Sequence, residues 1–191
     1  MGNTATYVST GKPTPTGAVY VAPIGTALPS TADEDMSANS AYTCLGYVSE
    51  DGLENANDLE VSEIKAWGGS IVYRSLNGLN DTFALKLIES LNIDVLKAVY
   101  GDSNVTVDGS GNVTVNVKAE NPQEKVWVFD MALRGGKPKK IVVPDGAITA
   151  RDAITYNDSD AIAYGITVSA YPDNNGSTHF ELLSEGAEPS I

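Results

Sequence analysis

Asp81–Gly101, DTFALKLIESLNIDVLKAVYG, holds the decisive change of period in the chain. It opens in strict alternation, with Phe83, Leu85 and Leu87 on one face and Thr82, Ala84 and Lys86 on the other. Period two is the mark of a β-strand. From Ser90 the spacing turns helical, with Leu91, Val95, Ala98 and Val99 in one row and Ile93, Leu96 and Tyr100 beside it. Ser90 or Asn92 can cap the start, and Gly101 stands where a left-handed helix stop belongs. On a wheel of roughly 100° per residue, apolar side chains cover an arc of about 220°, and Asp94 and Lys97 mark the wet side. A helix lying on one sheet needs a stripe of roughly 100° or a little more. Loops cover the surplus, or another copy of the chain does.

Composition sets the frame. A chain of 191 residues supports one well-filled core, and 42% hydrophobic residues place it outside the disordered class. No apolar run approaches the roughly 18 residues of a spanning helix, and MGNTATYVSTGKPTPTG lacks the apolar centre of a signal peptide. A single cysteine, Cys44, makes no internal disulfide, which fits assembly in a reducing compartment. The net charge of -13 disfavours nucleic acid and anionic lipid as binding partners. Its distribution is uneven: acids crowd residues 33–63, including Glu50, Asp51, Glu54 and Asp58, whereas bases gather at Arg134, Lys137, Lys139 and Lys140. Both clusters read as solvated loops, or together as complementary surfaces of neighbouring subunits.

Along the chain, residues 1–17 read as a flexible arm without a fold of its own, 18–173 as one β domain, and 174–191 as a polar tail. Strands are expected at 18–22, 42–49, 60–66, 70–74 and 81–89. The acidic segment Glu50–Leu59 is expected to join two of them as a long loop, and a loop of that length is more often partner-facing than idle. Trp67-Gly68-Gly69 predicts a bulge whose corner the indole fills. Two runs around Asp108–Asn112 predict a hairpin. Lys125–Leu133 and Lys139–Val143 follow as strands, Pro144-Asp145-Gly146 as a turn, Ala147–Thr149 as a short strand and 161–171 as a last one. The fold class is mainly β: a sandwich or half-barrel with one flanking helix.

Chemistry finds little support. His179, the one histidine, lies in a polar stretch and reads as a surface residue. Neither Asp108–Asn112 nor Asp173–Gly176 carries the twelfth-position Glu of a calcium loop, so turns account for both. No glycine-rich phosphate loop occurs, and one His with one Cys makes a poor zinc set. Met1–Thr6 fits the short N-myristoylation pattern, a motif common by chance. No catalytic, cofactor or metal residue is expected.

With chemistry set aside, ordered blocks over about residues 16–173 remain. Residues 16–29, TGAVYVAPIGTALP, then 45–53, LGYVSEDGL, and 66–69, AWGG, resemble the early blocks of major tail proteins from long-tailed, siphovirus-like bacteriophages. Residues 82–89, 95–101, 140–144 and 170–173 resemble the later blocks in the same order.

The resemblance implies a tail tube subunit of the virion, assembled in the host bacterial cytoplasm. Such subunits form hexameric rings whose strands join an inner barrel, and the rings stack along a tape-measure protein. Tail terminator and distal tail proteins are further implied partners. DNA passes through the lumen without specific binding, and no membrane or cofactor is involved. In the resemblance a long early loop, here Glu50–Leu59 or its surroundings, reaches the neighbouring ring. Closing a barrel across subunits removes exposed edges, and heterologous contacts propagate into filaments. The interface residues so expected are Glu50, Asp51, Glu54, Asp58, Leu96, Tyr100, Arg134, Lys137, Lys139 and Lys140. The competing class is a non-catalytic β-sandwich binding module, such as a virion decoration or a receptor- or carbohydrate-binding protein, which predicts discrete particles and an exposed aromatic patch.

Overall fold

The computed structural model describes residue 3 and residues 5–184. In chain order the strands are β1 (Lys12–Pro13), β2 (Val19–Pro23), β3 (Thr43–Cys44), β4 (Val48–Lys65) and β5 (Ile71–Leu87). Helix α1 (Ile93–Tyr100) precedes β6 (Val105–Val107), β7 (Val113–Val115), β8 (Glu124–Ala132), β9 (Pro138–Arg151), β10 (Tyr164–Ala170) and β11 (Phe180–Leu183). Nine strands form one antiparallel sheet in the order β3-β2-β8-β9-β10-β5-β4, with β1 added to β8 and β11 to β9. β6 and β7 pair separately around the loop Asp108–Asn112, as expected. The mostly-β reading with one helix holds, and the strands do not close into a barrel within the chain.

The core follows from alternation. In β2, β8 and β9 both faces are covered. Val19, Val21, Trp127, Phe129, Ile141 and Val143 join Phe83, Leu85 and Leu87 in the main cluster. Tyr20, Ala22, Val126, Val128 and Val142 face the other way, beneath Met36 and Tyr42 of the segment between β2 and β3. That two-sided burial explains the near-continuous apolar run of β8.

The helix is shorter than its apolar pattern. Asn92 caps it, its side chain accepting from the Asp94 amide at 3.0 Å, and Gly101 ends it at φ 98, a conformation that disfavours other residues. Val95, Leu96 and Val99 enter the main cluster, while Leu91 precedes the cap and is 93% exposed. Ile93, Ala98 and Tyr100 are half-buried against the same cluster, so the subunit itself covers much of the wide apolar arc.

Several expectations need correcting. Glu50–Leu59 is not a loop: β4 runs from Val48 to Lys65, and within that segment the pairing is interrupted at Ser49–Gly52, between the Val48–Leu87 and Leu53–Leu85 pairs. Trp67-Gly68-Gly69 is not a bulge but the turn of the β4–β5 hairpin, closed by Gly69 N–H to the Ala66 carbonyl at 2.9 Å, and Trp67 fills no corner. Tyr42–Ser49 is not one strand, since only Thr43–Cys44 pairs with β2. Pro144 does not end a strand. Trp127 pairs with Val143 and Lys125 with Gly146, so Pro144 and Asp145 oppose the single residue Val126. A proline at a bulge sacrifices no ladder bond.

Both ends are more tied than their composition suggested. Lys12 and Pro13 pair with Ala132 and Met131, and the Arg134 amide donates to Ser9 Oγ at 2.8 Å. After Pro172 the chain turns at Asp173–Ser177 and returns as β11 beside Lys139–Val142. Residues 185–191 of the polar tail, and Met1, Gly2 and Thr4 of the Met1–Thr6 pattern, lie outside the described residues.

Candidate functional site

β4 and β5 form a hairpin of unusual length, and its two halves have different surroundings. From Asp81 to Leu87, β5 is flanked by β10 as well as β4. Before Asp81 its pairing, among the described strands, is with β4 alone. At about 3.3 Å per residue the ten residues from Ile71 to Asn80 carry this two-stranded ribbon roughly 30 Å. A two-stranded ribbon is marginal in water by itself.

Register shows what the ribbon presents. Asn57 pairs with Asp81, Leu59 with Leu79 and Val61 with Leu76, around a register shift between Glu60 and Val61. Alternation along β4 places Leu59 and Val61 on one face, and cross-strand pairing adds Leu79 and Leu76 to it. These four side chains are 44–64% exposed. Leu79 lies on the same alternating series as Phe83, Leu85 and Leu87, so the exposed apolar face continues the core face of the sheet. Near the tip Ile64 and Tyr73 form an exposed pair on the opposite face, and Trp67 in the turn is wholly exposed at 107%. An apolar patch on a thin projection marks a contact surface. Arg74 and Glu63 form an ion pair at 3.0 Å, which fixes the ladder locally but is too exposed to stabilise much.

At the root of the ribbon stands Asp81, inward-facing and buried. Its Oδ1 accepts from the Asn55 and Asn57 amides, and its Oδ2 from Thr178 Oγ1 at 2.6 Å and His179 Nδ1. Burial by itself raises the pKa of this carboxyl, but the hydrogen bonds outweigh it and hold the group below the usual carboxylate range. His179 is therefore not a free surface residue: it bonds Asp81 and lies edge-on to Phe83, with ring centroids 5.2 Å apart. Its polar neighbours in sequence concealed a partner 98 residues away.

The expected interface residues are scattered. Glu50 and Asp51 lie in the out-of-register segment, and Asp51 accepts from Lys86 at 2.7 Å, which lowers its pKa. Glu54 and Asp58 are exposed along β4. Leu96 is buried in the subunit's own core. Tyr100 is half-buried, edge-on to Tyr164 and beneath the Arg151 guanidinium. The basic cluster divides. Arg134 and Lys137 are exposed in the β8–β9 turn, and Lys139 pairs with Glu181 at 2.8 Å. Lys140 is inside, bonded to Asp130 at 3.1 Å and to the Ala32 carbonyl at 2.6 Å. It occupies an inward place in the alternation beside Val142, so its charge serves the interior. Burial raises the Asp130 pKa further than the Lys140 bond lowers it.

Sequence reasoning missed Leu59, Val61, Leu76 and Leu79 as a set, because they lie on two strands and meet only through the hairpin register. A search of curated proteins returns no match. A family model described as phage tail tube protein, however, matches residues 9–190. With nearly the whole chain matched, and a projecting ribbon that suits a self-assembling subunit, this chain belongs to the phage tail tube protein family.

Proposed function

We propose that the chain polymerises as hexameric rings that stack into the tail tube and form the conduit for DNA ejection, with no catalytic role. Membership of the family already implies self-assembly into a tube and a place in the virion tail. The observation that carries the finer reading is the ribbon. It projects four exposed apolar side chains in continuity with the core face, and a neighbouring copy is the surface that covers them at every repeat of a filament. Rings also bring sheet edges together, which leaves fewer unpaired backbone groups in solvent. A net charge of -13 favours passage of DNA over its retention, since phosphate contacts come from Lys and Arg. A tape-measure protein within the tube, and terminator and distal tail proteins at its ends, complete the assembly, which takes place in the host bacterial cytoplasm.

Negative-stain microscopy of the purified protein tests this reading. Rings or tubes on the order of a hundred Å wide are expected of a closed assembly. Discrete small particles at every concentration and salt would instead favour the binding-module class.

A further inference from the structure

The carboxylate of Asp81 has a position that a core strand does not require. It occupies the inward series of β5, where Phe83, Leu85 and Leu87 are apolar, at the residue where β10 ends and the ribbon begins. A buried carboxylate needs its acceptor positions filled. Here each oxygen takes two side-chain donors, and the two pairs come from different parts of the chain. Asn55 and Asn57 belong to the ribbon's own partner strand, 26 and 24 residues away. Thr178 and His179 belong to the segment entering β11, 97 and 98 residues away. β11 is a four-residue edge strand held on β9, with Glu181 and Leu183 exposed.

We propose that Asp81, Asn55, Asn57, Thr178 and His179 form a lock that fixes the direction in which the ribbon leaves the sheet, with the C-terminal segment as its detachable half. A two-stranded ribbon bends easily at the point where its third strand ends. Bonds from Thr178 and His179 brace that point from a segment outside the ribbon. Short edge strands open at the low end of a protein's stability range. Release of β11 therefore frees the ribbon without unfolding the core. The lock is a property of the single subunit, and its relevance to assembly rests on the tube reading.

The test is amide hydrogen exchange on the dispersed full chain carrying Thr178→Val with His179→Phe. These changes remove both C-terminal donors and keep a ring against Phe83. Exchange at residues 55–58 and 79–82 should rise about tenfold or more, with the core amides of β8 and β9 unchanged. Because coupling is reciprocal, Asp81→Asn should accelerate exchange in β11 as well as at the ribbon root, and Thr178→Ser alone should behave as the parent chain. Acceleration confined to β11, or a uniform rise that includes the core, overturns the lock. Exchange is read before any ring forms, so a failed lock and a failed tube reading give separate results.

Discussion

The inner and outer halves of the β4–β5 hairpin carry the same alternation and meet opposite fates. Phe83, Leu85 and Leu87 are buried in the main cluster, whereas Leu59 and Leu79, four register pairs beyond Asn55 and Phe83, stand in solvent. Between them lies a polar band, Asp81 with Asn55 and Asn57. The apolar series of β5 thus runs on past the subunit's own core, from buried positions to exposed ones.

Five measurements sharpen the contrast. The largest effect belongs to the helix that shares the inner core: Leu96→Asp buries an unpaired charge and should unfold the subunit, while Leu91→Asp should leave circular dichroism and the melting midpoint unchanged. Next, Phe83→Ala should cost about 3–5 kcal/mol and lower the midpoint by on the order of 10 °C. Leu59→Ser with Leu79→Ser should change subunit stability by no more than about 0.5 kcal/mol per site. Sedimentation and microscopy should nevertheless show assembly abolished. Equal destabilisation by both sets would break the distinction between the halves.

The polar band itself responds to acid. Asp81 has a depressed folded pKa, so its contribution is complete above the unfolded value of about 3.9 and is lost as the pH falls through the folded value. Asp130 has a raised folded pKa and the opposite sign, since acidification relieves the cost of its buried charge. Melting curves between pH 5 and pH 3 should therefore fall less steeply for Asp81→Asn than for the parent. An identical slope would show that Asp81 does not govern the acid limb. The smallest effect is expected from Arg134→Glu with Lys137→Glu, the exposed remainder of the basic cluster. Folding should be unchanged and assembly weakened mainly at low salt, where exposed charges are least screened. Unaltered tubes at every ionic strength would remove electrostatic ring contacts from consideration.

What could be read in advance was whatever one element shows by itself. Phe83–Leu87 alternates because one face is buried, and Asn92 and Gly101 bracket the helix by local chemistry. The ordered family blocks were legible for the same reason. The ribbon was legible only in part: 60–66 and 70–74 read as strands, and both lie within it, but Asp51–Leu59 is rich in Asp, Asn, Gly and Glu, residues of low strand propensity, which hid the continuity of β4. Lys140 looked like part of a basic surface because its partner Asp130 is a strand away and the Ala32 carbonyl 108 residues away. His179 was misread similarly. Sites assembled from distant residues leave no local period to detect.

The two tryptophans of the chain divide the molecule spectroscopically. Trp127 is sealed in the core with its Nε1–H donated to the Gly146 carbonyl, and Trp67 stands fully in water at the ribbon tip. Their fluorescence should therefore separate two events usually seen as one. Quenching of Trp67 by a soluble quencher should decline only when the tip is covered by a neighbour, while Trp127 stays protected until the subunit unfolds. Trp67→Phe leaves a pure folding reporter, and the difference between the two proteins follows assembly in real time.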